Sequence, residues 1–278
     1  MGLALTSCAL LEKVTANKLL VVTWLKMPSF DQEPFRSLPE LGVVTVNAVF
    51  IDTSKPPPKP IQGGFAAFFG AGRKVDLIET PVPGVYAQTS AGEPSLIYDD
   101  TATRRFGFKA CLINRNGCIG QEYSIGRILA APSVEREKLT LTPQPTASEL
   151  PGFSGQWALN QSLTVKFPQP EGDVSYRPIL MVFGPTGKAD KPFGQIYSTL
   201  PASPDKYFDF LNSEVKLELT IPGEVFAAQG PYAVMAATAR VNMDTSGLFA
   251  GSGALAGAAN GFLLEIPIEI PVGLPTLP

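Results

Sequence analysis

The residues able to do covalent chemistry are few, and the chain contains no histidine. A Ser-His-Asp triad, a Cys-His dyad and any His-containing zinc site are therefore impossible within it. Its three cysteines, Cys8, Cys111 and Cys118, are too few for a four-thiolate zinc site. Carboxylate, lysine, tyrosine or Ser-Lys chemistry remains. Asp99-Asp100 has the residue types for calcium binding or glycosidic cleavage, but neighbours on a strand face opposite ways, so a turn role fits better. Asp205, Asp209 and Asp244 lack calcium-loop spacing. Ser203-Pro204-Asp205-Lys206 matches Ser-x-x-Lys without its companion motifs. GPTGK (184–188) only superficially resembles a phosphate loop: the full G-x-x-x-x-G-K-[ST] motif and a βαβ setting are absent. The expectation is a non-enzymatic chain with no catalytic residue, metal or cofactor.

The elements around these residues read as strands. The chain has 278 residues, with 27 prolines and 26 glycines scattered along it. Such punctuation fits short strands joined by turns. Net charge is −3, with residues 1–133 carrying 13 basic and 11 acidic groups and residues 134–278 carrying 9 and 14. With no concentrated charge run, nucleic acid is not an expected partner.

KLLVVTWL (18–25), VVTVNAVFI (43–51) and GFAAFFG (64–70) suit buried strands, followed by KVDLIET (74–80) and VYAQTS (85–90) about a Pro-Gly turn. SLIYDD (95–100), RRFGFKACLI (104–113) and CIGQEYSIGRIL (118–129) follow, with Asn116-Gly117 as the hairpin signal. The second half offers EKLTLTPQP (137–145), SLTVKF (162–167), RPILMVFG (177–184) and GQIYSTL (194–200). It ends with EVKLELTI (214–221), YAVMAATARV (232–241) and FLLEIPIEI (262–270). Pro267 marks the last run as an edge strand. SKPPPKP (54–60) reads as a stiff loop. SGLFAGSGALAGAANG (246–261) reads as a long loop, either plain or a contact surface.

Strand count and size predict an all-β chain of two tandem antiparallel sandwiches, residues 17–133 and 134–278. A single large sandwich or barrel is the alternative. PGEVFAAQGPYAVMA (222–236) resembles the fibronectin type III stretch in which a Pro-Gly turn precedes a strand-opening tyrosine. That resemblance gives Tyr232 the corner role, its hydroxyl bonding nearby backbone. The immunoglobulin Cys…Trp…Cys pattern is absent, so the immunoglobulin likeness is one of architecture.

Leu5-Thr6-Ser7-Cys8 resembles the lipobox of bacterial lipoproteins. The resemblance implies cleavage before Cys8, lipidation of its thiol and anchoring in the cell envelope. Ala9 follows the cysteine where an inner-membrane retention aspartate would stand, which implies the outer membrane. Residues 1–16 are then signal-peptide remnant, lipidation site and tether. The motif lacks a basic region and a full apolar run before it. MGLALT as an N-myristoylation signal, or Cys8 in a plain tail, are the other readings. Export permits a Cys111–Cys118 disulfide across the NRNG turn, with two reduced thiols as the alternative. The functional expectation is a lipid-anchored binding, adhesion or assembly protein. A carbohydrate-binding or carboxylate-based hydrolytic module using Tyr86, Tyr98, Tyr176 or Tyr197 is one alternative. The other is an accessory subunit of a larger envelope machine, attached by strand addition at the C-terminal edge. Its partners are then a membrane through Cys8, a protein and, under the first alternative, a glycan.

Overall fold

A computed structural model describes residues 18–52, 59–60, 64–70, 73–92, 106–114, 117–118, 123–128, 131, 133–169, 176–202, 206, 209–210, 213–243 and 253–268. The 1–16 segment with Cys8, the 95–100 run with Tyr98 and Asp99-Asp100, and Asp205 and Asp244 lie outside the described residues.

The chain is all-β. Its first half holds β1 (Lys18–Lys26), β2 (Val44–Asp52), β3 (Lys59–Pro60), β4 (Gly64–Gly70), β5 (Arg73–Glu79) and β6 (Val85–Thr89). It continues with β7 (Phe106–Asn114), β8 (Gly117–Cys118) and β9 (Tyr123–Ile128). The second half holds β10 (Thr140–Thr142), β11 (Gly155–Gln156), β12 (Leu163–Lys166) and β13 (Tyr176–Pro185). β14 (Phe193–Ser198), β15 (Glu218–Ile221), β16 (Gly230–Met243) and β17 (Gly253–Ile266) complete it. EVKLELTI is shorter than its alternation predicts: only Glu218–Ile221 is strand, and Val215 is exposed.

One sheet runs β14-β13-β16-β17-β1-β2-β6-β5-β4-β7-β8, with β3 on β2, β9 on β7 and β11 on β17. A second sheet runs β10-β12-β15. The ladders are antiparallel except where β17 meets β1 and β11. The first strand therefore returns to the last, Val21 opposite Gly253 through Lys26 opposite Ala258. The two halves of the chain share one sheet through this parallel pair.

β13, β16 and β17 are buried on both faces. Val182, Tyr232, Val234, Phe262, Leu264 and Ile266 face a core shared with Leu141, Leu163, Val165 and Ile221 of the small sheet. This packing makes the second half a β-sandwich. Ile179, Met181, Phe183, Met235, Leu255 and Leu263 face a second core with Val21 and Leu25 of β1 and Val49 and Ile51 of β2. A strand covered on both sides reads as an unbroken apolar run, as RPILMVFG does. Each large side chain so buried contributes about 1.5–3 kcal/mol.

The Gly/Ala stretch departs from expectation. Residues 253–261 are not loop: they open β17, whose fourteen positions pair with β16 from Gly253 opposite Met243 to Ile266 opposite Gly230. Small residues are needed because neighbours press close. A Cβ on Gly257 would collide with the Thr238 carbonyl and the Ala239 Cα; one on Gly261 would collide with the Phe30 ring. The C-terminal run is not an edge strand either. β17 lies between β16 and β1, and Pro267 falls just beyond its end.

The connection between halves is pinned along β17. The Ala131 amide donates to the Ala256 carbonyl (2.9 Å) and Asn260 Nδ2 donates to the Val134 carbonyl (3.1 Å). The Arg136 guanidinium stacks 4.5 Å from the Phe262 ring centroid. Burial lowers the Arg136 pKa, and Glu137 partly offsets this.

Candidate interaction site

Among the described residues, those singled out for chemistry do not converge. Gly184 of GPTGK is strand, and Gly187 (φ +71°) lies in the turn to β14, where the Lys188 amide donates to Thr186 Oγ1 (3.1 Å). The segment is a hairpin turn, and Gly187 is there because the turn needs a left-handed residue. Tyr86 is 1% exposed and belongs to the core.

The cysteines sit on a hairpin whose register is defined. Asn114 pairs with Gly117 and Ile113 with Cys118. Cys111 stands opposite Phe65 of β4 and two residues along β7 from the partner of Cys118. Diagonal positions on neighbouring strands lie about 7–8 Å apart, against the usual 4.4–6.8 Å or so between the Cα atoms of a disulfide. Bringing Cys111 opposite Cys118 shifts the β7–β8 register by two residues.

Tyr232 opens the inward face of β16. Its hydroxyl donates to the Ala228 carbonyl (2.7 Å) and accepts from the Ala228 amide (3.1 Å). Its ring meets Phe226 edge-on at 5.3 Å. Burial raises its pKa, and the bond to Ala228 offsets part of the rise. The hydroxyl thereby holds the turn that brings the chain from the small sheet to the large one.

The arrangement best built for recognition lies at the outer end of the large sheet. β14 is last in the strand order, and no described strand pairs with its outer edge. Its sequence, FGQIYS, carries no charge, so it lacks the lysines that commonly guard an edge. The Thr199 amide donates to the Leu180 carbonyl (2.9 Å), and the Leu180 amide donates to Thr199 Oγ1 (2.9 Å). By strand alternation Ser198 then sends its main-chain groups outward. The β13 register slips between Val182, opposite Tyr197, and Phe183, opposite Gln195. Ile196 is therefore a bulge residue, the kind that re-aims side chains beside a site.

A cleft of about 360 Å³ opens beside this bulge, lined by Met181, Gln195, Ile196, Tyr197, Leu200 and Pro201 among others. Its volume falls within the range of small ligand pockets. Near the start of β13, Arg177 Nη1 donates to Ser213 Oγ (3.4 Å), and its guanidinium lies 6.0 Å from the Phe210 ring centroid. Burial lowers the pKa of Arg177. Tyr197 donates its hydroxyl to the Thr220 carbonyl of β15 (3.3 Å), and burial raises its pKa. This bond caps one carbonyl on β15, and β14, at six residues, is the longer of the two strands.

Sequence patterning did not reveal this site. An edge is defined by which strand is missing alongside it, and only the uncharged stretch FGQIYS hinted at it.

No protein-family model and no curated protein matches the chain in sequence. Solved structures align over most of its length, among them the following three. The chicken interferon gamma receptor alpha chain aligns at 10% identity and a TM-score of 0.24, over 81% of this chain and 93% of that one. The three N-terminal domains of the bacteriophage RB49 outer capsid protein Hoc align at 10% identity and 0.27, over 91% and 71%. Escherichia coli alpha-2-macroglobulin aligns at 12% and 0.24, over 90% of this chain and 20% of that one. Likeness this distant carries no weight for function, and the fold stands on the sheets and cores described above.

Proposed function

We propose that this chain is a non-enzymatic, lipid-anchored protein of the bacterial cell envelope that engages a protein partner by strand addition at β14. The observation that carries the reading is the open, uncharged β14 edge beside its cleft. Unpaired main-chain groups on such an edge supply affinity, and an adjacent pocket supplies selectivity for a side chain of the added strand. The sandwich holds that edge rigidly, as a binding surface requires. LTSC at residues 5–8 supports the anchor, with Cys8 lipidated and the body held at the outer membrane. Stable anchoring needs more than one acyl chain, which lipidation of thiol and amine together would supply.

Three measurements test this. Labelled palmitate is incorporated by the parent chain and not by Cys8→Ala; equal labelling removes the anchor. Crosslinking in the host yields an adduct that Ser198→Pro abolishes, because proline removes the outward amide; an unchanged adduct removes β14 as the surface. A Cys111–Cys118 bridge in the exported state requires the β7–β8 register to shift by two residues, and unreduced protein then offers no reactive thiol at those positions. Two reactive thiols there exclude the bridge.

A further inference from the structure

We infer that the outer edge of β14 receives residues 268–276 of a second copy of this chain, an inference that rests on β14 being the binding surface. The tail after β17 reads Pro267-Ile268-Glu269-Ile270-Pro271-Val272-Gly273-Leu274-Pro275-Thr276. Pro267, Pro271 and Pro275 share one parity. In an extended strand, residues of opposite parity direct their main-chain groups to opposite edges. Proline has no N–H. An extended run here is thus crippled along its odd-numbered edge and complete along the even-numbered one, at Ile268, Ile270, Val272, Leu274 and Thr276. The same even positions carry Ile, Ile, Val and Leu on one face. This sequence, when extended, pairs on one side only. Its first residue already stands outside the core: Ile268 is 69% exposed.

Distance decides between the chain's own edge and a neighbour's. β16 and β13 separate β17 from β14. A strand on the outer edge of β14 lies four strand spacings from β17, about 19 Å, which consumes at least about five residues at the chain's full reach. Ile266 pairs with Gly230, and Pro185 pairs with Phe193, so the tail leaves at the end of the sheet where β14 begins. It must cross and turn back before pairing, and too little of the apolar run remains. The tail of a second copy meets neither limit and offers every even-numbered N–H. The chemistry matches: β14 is uncharged, the even face is apolar, and the cleft walls Met181, Ile196, Leu200 and Pro201 suit an Ile, Val or Leu side chain. A tail-to-edge contact joins unlike surfaces, so it extends in chains or closes in rings.

Sedimentation velocity of the purified full chain over a concentration series tests the inference. The expected result is mass that rises with concentration and falls to monomer on adding excess synthetic peptide 267–278. Val272→Pro and Ser198→Pro each abolish the rise, whereas Gly273→Pro, one residue away with the other parity, leaves it intact. A monomer at every soluble concentration, or assembly that survives Val272→Pro, overturns the inference. If assembly fails while Ser198→Pro still abolishes the crosslinked adduct in the host, the occupant is wrong and the β14 surface stands. If both fail, the surface is wrong as well.

Discussion

Tyr197 on the last strand of the large sheet donates its hydroxyl to the Thr220 carbonyl on the last strand of the small one, across 3.3 Å. One bond thus ties the two outer strands on that side of the sandwich. Its consequence is asymmetric: a β15 main-chain carbonyl gains a partner from the bond and no β14 main-chain group does.

Tyr197→Phe removes this bond while keeping the ring. The Thr220 carbonyl is near solvent and finds water, so the expected loss is the net worth of one hydrogen bond, about 0.5–1.5 kcal/mol. Denaturant unfolding measures it, with the midpoint falling and the slope unchanged. No shift in midpoint shows that the tie contributes nothing.

Tyr232→Phe is expected to cost more. Its hydroxyl is bonded in both directions to Ala228, and the ring is 1% exposed. Losing it strands a partly buried amide and carbonyl together, at about 1–3 kcal/mol. The same unfolding measurement ranks the two variants, and a smaller loss for Tyr232→Phe contradicts the corner role.

Alkaline pH is expected to destabilise the fold through both tyrosines. Burial raises each folded-state pKa above the ordinary value of about 10. Below that value both folded and unfolded chains keep the proton, and the contribution is fully present. Above it the unfolded chain ionises first, so stability falls until the pH passes the raised folded-state values. Unfolding midpoints from pH 9 upward follow this decline, and the Tyr197→Phe, Tyr232→Phe double variant declines less steeply.

Gly257→Val is expected to disrupt the β16–β17 ladder, since even a Cβ there collides with the Thr238 carbonyl. Overpacking of this kind costs about 1–3 kcal/mol or more. Gly187→Ala is the control: a Cβ there meets nothing within 4 Å, and only its left-handed φ is strained. A midpoint for Gly257→Val equal to the parent's contradicts the close packing.

Much of the strand pattern was legible because side-chain bulk signals burial. GFAAFFG (64–70) coincides with β4, and RPILMVFG lies within β13. GALAGAANG was misread as loop because its residues lack bulk. They are small for the opposite reason, that backbone and rings crowd both sides of β17. Pro267 was read as a mark of an edge, yet it lies past the strand, and the pairing of β17 with β1 is set by residues more than two hundred positions away in sequence. The corner role expected of Tyr232 came from a turn-then-tyrosine pattern, which is local. The β14 edge depends on which strands are its neighbours, and no local pattern encodes that.

A photocrosslinking side chain placed at Gln195, exposed on β14, tests the central claim most directly, with the same group at exposed Val215 as its control. The account predicts an adduct in the host from position 195, none from position 215, and its loss when Ser198→Pro is added. No adduct at 195, or an adduct indifferent to Ser198→Pro, contradicts it.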